Sequence, residues 1–416
     1  MSVSSTSTSS RRSDESRAAS TGDAPCGTMW MRDGRWISSS RSSVATRGSD
    51  LGLEVSLGKR ESCRMAEVHS SIRTWDTFKS MIAFSPEEDE QLLVDSARAF
   101  AQTRLRPRLR AFEEARGVAD DVRRAFHELG LVGMDLPAEL GFAGVSLTTR
   151  ALAEEELAAA DLGACVALDA TGLAGEAIRA GGTPEQRKRW LSPFLDDPLR
   201  RAAMKLDDAV LGGARAQLLV TADGSVYEGG FTGVEDRDVL GIAELPPAKV
   251  NISGAASGKL ASDGVRSALF RYAGVNAARA VGCARAAFEH ARRYAEERTA
   301  FGKPIGHFQA IAFLLADMAM EIDGARLLTW RACRALDRGA ADAERSLAQA
   351  AAQARDMLAF VTSNAVQILG GAGYVQDHPV EKWMRDARVL AAYGLTADAA
   401  RAFAASGEFE IGEVVS

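Results

Sequence analysis

The residue types that most often carry chemistry are few and scattered in this chain. The five cysteines (Cys26, Cys63, Cys165, Cys283, Cys333) are odd in number and form no CxxC pair. The five histidines (His69, His127, His290, His307, His378) form no HExxH or similar ligand pattern. This spacing argues against a disulfide framework and a structural zinc site, and no metal is expected. It suits a reducing compartment, so the expected location is cytoplasmic. Three other features stand out, and each has a plain structural reading. Arg298 can form a surface salt bridge with Glu296 or Glu297. Gly370-Gly371 can simply end a helix. Arg385 and Asp386 can orient one another.

The elements that must position such residues follow from composition and periodicity. The chain has 416 residues, 46% of them apolar, and a net charge of -6. That length predicts two to four domains with a sizeable core. The charge balance points neither to nucleic acid nor to an anionic membrane, and no apolar run is long enough to span a bilayer. Residues 1–64 are rich in Ser, Thr, Arg and Gly and poor in aliphatics, so they read as a disordered extension. Met65 and Met81 are alternative starts, because the folded pattern begins only near Phe84.

From 84 to 200 the pattern is helical. Ser85-Pro86-Glu87-Glu88 and Thr183-Pro184-Glu185-Gln186 are helix starts with capping-box spacing. Gly130 can end the helix through Val122, Phe126 and Leu129. Alanine-rich Leu162 to Ala180 reads as one buried helix. Residues 201–270 read as a short β domain, with strands expected at Gln217–Thr221, Val226–Glu228, Val239–Ala243 and Lys249–Ile252. Residues 271–409 read as a helical bundle, with helices over Val275–Glu297, Gln309–Leu336, Ala341–Leu369 and Pro379–Leu390 and an amphipathic stretch after Thr396.

This layout resembles the acyl-CoA dehydrogenase family. The resemblance rests on Glu297-Arg298-Thr299-Ala300-Phe301-Gly302-Lys303-Pro304-Ile305, followed by His307-Phe308-Gln309-Ala310-Ile311. It also rests on Gln367-Ile368-Leu369-Gly370-Gly371-Ala372-Gly373-Tyr374 and on Pro379-Val380-Glu381-Lys382-Trp383-Met384-Arg385-Asp386-Ala387. In the N-terminal part, Leu136-Pro137-Ala138-Glu139-Leu140-Gly141 and Glu154-Glu155-Glu156-Leu157 are similar too. The resemblance implies a mostly α fold with a helical N-terminal domain, a small β domain and a C-terminal four-helix bundle. It implies FAD as cofactor, partly contacted by a neighbouring subunit, and therefore a homodimer or homotetramer. Arg298 would offer a forked guanidinium to the pyrophosphate. Phe308, Gln309, Gln367, Gly370, Gly371 and Thr396 would complete the cofactor site through amides, a hydroxyl and close backbone approach. The implied substrate is an acyl-CoA, oxidised at its CH–CH bond, with an electron-transfer flavoprotein as a partner.

The departures matter as much. A glycine-rich loop that touches the flavin in the family is here Lys205-Leu206-Asp207-Asp208-Ala209-Val210-Leu211-Gly212, with Leu206 where a hydroxyl is expected. Phe231-Thr232 is the nearest match to a Trp-x-Thr flavin contact. The family base, the Glu of a Tyr-Glu-Gly-Thr segment, is replaced by Gly394 in Tyr393-Gly394-Leu395-Thr396. The alternative family position falls near Tyr272, and no acid occurs from Tyr272 to Arg285. Asp398 is near in sequence, on the wrong part of the turn. Two functional readings therefore stand: an FAD-dependent acyl-CoA oxidoreductase, or a degenerate member that binds FAD or acyl-CoA or associates with an active paralogue. A ligand-free helical scaffold is a third.

Overall fold

The computed structural model describes residues 30–32, 35–37, 88–236 and 238–409. The chain forms two compact units, Met1–Thr74 and Trp75–Ser416. In the first, β1 (Trp30–Arg32) pairs antiparallel with β2 (Arg35–Ile37), in the register Trp30↔Ile37 and Arg32↔Arg35. The sequence reading expected no element there. The overlooked signal is Asp33-Gly34 between two short apolar pairs, a favoured hairpin spacing. The rest of the expected disordered extension, and Ser85, Pro86 and Glu87 of the first helix start, lie outside the described residues.

The second unit opens with helices. These are α1 (Glu88–Phe100), α2 (Leu109–Ala115), α3 (Asp120–Glu128), α4 (Leu147–Ala160), α5 (Leu162–Leu168), α6 (Gly172–Gly181), α7 (Pro184–Leu191) and α8 (Pro193–Asp196). The capping box at α7 forms as expected: Thr183 Oγ1 accepts from Gln186 N at 3.2 Å, and Gln186 Oε1 accepts from Thr183 N at 2.9 Å. Leu162 to Ala180 is not one helix. It breaks between α5 and α6, where Gly172 takes φ +50° and donates its N–H to Asp169 Oδ1 at 3.0 Å. The other carboxylate oxygen of Asp169 is held by distant side chains, and that pull overrides the local helix propensity.

Two small sheets follow. One has strand order β3 (Ala202–Lys205), β5 (Leu218–Thr221), β6 (Ser225–Tyr227), β9 (Gly258–Lys259), with β3 and β5 parallel. The other has order β4 (Val210–Leu211), β8 (Pro247–Ile252), β7 (Phe231–Glu235), all antiparallel. The strand expected at Val239–Ala243 does not form. That segment is an irregular loop pinned to the bundle: Ile242 N donates to Asp386 Oδ1 at 2.7 Å, and Leu240 O accepts from Arg385.

The sheets end at Lys259, and α9 (Ser262–Glu297) starts well before the expected Val275. Its first turns do carry a helical period, with Val265, Ala268, Leu269 and Tyr272 buried opposite exposed Asp263 and half-buried Arg266, Ser267 and Arg271, so the expected start lay past a readable pattern. A short hairpin, β10 (Thr299–Ala300) with β11 (Lys303–Pro304), leads into α10 (Gln309–Asp337) and α11 (Ala343–Leu369). The last two helices are α12 (Val380–Ala392) and α13 (Ala397–Ser406). Helix α9 crosses α4 so closely that a Cβ on Gly282 would lie 2.1 Å from Glu155 O. Among the described residues no helix is long and apolar enough to cross a membrane.

Candidate active site

The two positions where sequence looks for a base come together in space. Gly394 follows α12 at φ +77°, and a Cβ built on it would lie 3.7 Å from Asn276 Nδ2. Asn276 is one turn of α9 beyond Tyr272, and it donates to Tyr393 O at 3.3 Å. The Tyr272 and Tyr393 rings meet edge-on with centroids 5.9 Å apart.

A buried ionic network occupies the space beside them. Asp169 Oδ2 accepts from Tyr272 Oη at 2.9 Å, from Arg279 at 2.7 Å and from Arg150 at 2.8 Å. Arg279 also donates to both oxygens of Glu154 at 2.9 Å and to Tyr272 Oη at 2.8 Å. Arg150 continues to Asp135 at 2.7 Å and to Glu176 at 2.8 Å, and Arg271 reaches Asp135 at 2.8 Å. Asp135, Glu154, Asp169 and Glu176 thus face Arg150, Arg179, Arg271 and Arg279. Such a cluster is tolerable without water only because nearly every charge has a partner. The adjoining cavity, lined by Met134, Arg150, Glu154, Cys165 and Asp169 among others, encloses only about 10 Å³.

Tyr272, Tyr393 and Asp169 are not suited to proton abstraction. Burial, outweighing Arg279, raises the Tyr272 phenol well above its ordinary range, and burial pushes Tyr393 up to about 12. Burial opposes ionisation of Asp169, but Arg150 and Arg279 overcome it and hold the carboxyl well below the usual carboxylate range. A general base works best with a pKa near the operating pH, so Asp169 is too weak and too firmly bound. Asp398 is exposed and pairs with Arg401 at 2.8 Å, clear of the cluster.

The sequence reading missed Arg150, Asp169, Glu176 and Arg279 as a set. The available signal was an acid inside an apolar run, Val166-Ala167-Leu168-Asp169-Ala170. Arg385 and Asp386 do not orient one another. Arg385 pairs with Glu113 and Glu381, each at 2.6 Å. Asp386 is buried and binds Lys382 Nζ at 2.6 Å, and Lys382 also meets Asp161 at 2.8 Å and Glu244 at 2.9 Å. Burial, reinforced by Asp161, pushes the Glu244 carboxyl up to about 8.

The other candidate residues fall into two groups. Arg298 caps the C-terminal end of α9, is exposed, and its guanidinium has no partner among the described residues. Arg292, not Arg298, takes Glu296, at 2.6 Å. Phe308 and Gln309 begin α10, and the Phe308 ring stacks under Lys303 Nζ at 4.4 Å. Gln367 is exposed in the last turn of α11, and a Cβ added to Gly370 or Gly371 just beyond it would meet nothing within 4 Å. Because α10 and α11 run antiparallel, these residues share one end of the bundle. Thr396 does not. It caps α13, accepting from Ala399 N at 3.3 Å, in the turn where Tyr393 O accepts from Arg355 at 3.0 Å. Arg355 lies fourteen residues before Leu369 on α11, about 20 Å along the axis at 1.5 Å per residue.

A family model described as Acyl-CoA dehydrogenase, N-terminal domain, matches residues 87–197, and one described as Acyl-CoA dehydrogenase, C-terminal domain, matches residues 265–406. The chain belongs to the acyl-CoA dehydrogenase family. Short-chain specific acyl-CoA dehydrogenase, mitochondrial, of Bos taurus is 30% identical over 368 residues, covering 76% of this chain and 88% of that protein. Cyclohex-1-ene-1-carbonyl-CoA dehydrogenase of Geobacter metallireducens is 28% identical, covering 74% and 94%. The structure of butyryl-CoA dehydrogenase from Megasphaera elsdenii superposes with a TM-score of 0.72 at 25% identity, covering 78% of this chain and 99% of that one. A structure described as the electron transferring flavoprotein of Acidaminococcus fermentans has a TM-score of 0.72 at 26% identity, with the same coverages. As an acyl-CoA dehydrogenase family oxidoreductase, the chain has the fold expected from its sequence.

Proposed function

We propose that this chain holds FAD between copies of itself and binds an acyl-CoA, and that it oxidises the CH–CH bond far more slowly than relatives that carry the base. The unpartnered Arg298 guanidinium and the open approach at Gly370 and Gly371 fit a pyrophosphate. FAD, when bound, supplies the acceptor for a hydride leaving the β carbon. The chain's own part is to orient both ligands and to take the α proton. For that proton no fitting acceptor stands near Gly394 among the described residues: Asn276 cannot accept it as a base, Tyr272 is neutral, and Asp169 is engaged by two guanidiniums. That absence near Gly394 carries the proposal. Loss of a general base typically costs about 10²–10⁴-fold in rate.

The separation of Thr396 from Arg298 supports a shared cofactor site, in which one copy supplies the flavin end and its neighbour the pyrophosphate end. Phe313, Met320 and Leu327, seven apart on α10, and Phe360 on α11 are exposed large apolar side chains, as befits a face covered by a second copy. A homodimer or homotetramer is the expected state, and light scattering on the flavin-loaded protein measures it. An electron-transfer flavoprotein is the proposed redox partner, as the family resemblance implies.

The deciding experiment is anaerobic bleaching of the bound flavin by a panel of acyl-CoAs. Slow bleaching supports this reading, and fast bleaching reveals a base elsewhere. The second reading, a silent member paired with an active paralogue, is favoured by the charge-filled space beside Tyr272. It is distinguished by retained flavin with no bleaching at all.

A further inference from the structure

A second cavity lies between the first helices and the sheets. It encloses about 330 Å³ and is lined by Arg123, Arg201, Arg215, Gln217 and Glu244 among others. Arg201 is buried, yet it has no carboxylate partner among the described residues. Its guanidinium donates only to two backbone carbonyls, Asp169 O at 3.3 Å and Ala167 O. The Asp169 carboxylate attracts it from a distance but is already claimed by Arg150 and Arg279, so Arg201 has no counter-ion of its own, a costly arrangement for a buried cation.

The other two cations do not resolve this. Arg123 donates to Leu199 O at 2.8 Å, and its nearest acid, Asp120, is 3.8 Å away. Arg215 is committed to Glu235 and to the backbone oxygens of Glu244 and Arg116. Burial, with repulsion from Arg123, depresses Arg201 to about 10, still charged at neutral pH. Glu244 lines the cavity, but its carboxyl lies against Lys382 and, pushed up to about 8, is neutral at pH 7. It therefore does not balance the arginines or repel an anion. Gln217 is exposed, which gives solvent access, and its amide fixes the backbone of Arg201 and Arg215 at 2.7 and 2.9 Å.

We infer that this cavity binds a small oxyanion, a carboxylate or a phosphate, gripped by Arg201 and Arg123. Planar guanidiniums suit both anions through paired N–H donors. The site is separate from the residues proposed for FAD and does not depend on them.

The test is a thermal-shift and calorimetric titration of the full chain at constant ionic strength. Inorganic phosphate is one probe and butyrate the other. A saturable rise in melting temperature with either supports the site, and which one acts tells phosphate from carboxylate. Arg123→Gln, at a half-buried position, should weaken binding about tenfold or more, the loss of one charge-assisted hydrogen bond, with flavin content unchanged. Arg201→Gln should abolish it; if that variant does not fold, Arg123→Gln decides alone. No response to either anion, or equal responses from Arg123→Gln and the wild type, overturns the assignment.

Discussion

Gly394 and Asn276 face one another, with 3.7 Å between the place a Gly394 Cβ would take and Asn276 Nδ2. A Cβ is therefore in ordinary contact at residue 394, and the first obstacle is the backbone. The φ of +77° is left-handed, a region costing non-glycine residues roughly 1–2 kcal/mol.

For Gly394→Glu we expect a stability loss of about 1–2 kcal/mol from that strain. We also expect flavin bleaching by acyl-CoA to become faster than in the wild type. Urea melts and anaerobic spectra measure the two effects separately. Unchanged bleaching in a folded, flavin-loaded variant would show that the acyl chain does not reach this turn.

Asp169→Asn should destabilise the chain by about 3–5 kcal/mol, because it leaves Arg150 and Arg279 with an uncompensated buried charge. The midpoint of urea unfolding reads this directly. A loss below about 1 kcal/mol, the scale of a surface pair, would mean that water reaches the cluster.

Glu244 sets a pH dependence. Its carboxyl rises from an ordinary 4.5 to about 8 in the folded chain, so the folded state holds a proton that the unfolded state has released between those values. Stability therefore falls as pH rises through that window and levels off above it. Glu244→Gln should flatten the fall, as measured by urea midpoints across pH 5–9. A slope equal to the wild type's would place the responsible proton elsewhere.

Arg298→Ala should weaken FAD retention by about 1.5–3 kcal/mol, the scale of a hydrogen bond to a charged group. Flavin release during dialysis reports it. Full retention would move the pyrophosphate away from the end of α9.

Much of the fold was legible because periodicity and caps are local. Helix α10 and the Thr183 capping box follow from neighbours within a few residues. The break at Asp169 was not legible, since its cause is Arg279, 110 residues away. Likewise Val239–Ala243 has strand-like residues, but Asp386, 144 residues beyond Ile242, claims its backbone. At the candidate site, the glycine that stands where the resemblance expects a base was readable from Tyr393-Gly394-Leu395-Thr396 alone. The ionic filling beside it was not, because arginines and acids on α4, α9 and the α5–α6 break look like solvated charges when read singly.

Helix α9 runs for 36 residues, about 54 Å at 1.5 Å per residue. Along that length it packs against α4, α6, α10, α11 and α12. No boundary between separately melting halves can fall across such a rod without cutting it. Heat should accordingly take the helices before and after the sheets through a single calorimetric transition. The two family signatures, read as two domains in sequence, would then share one unfolding event.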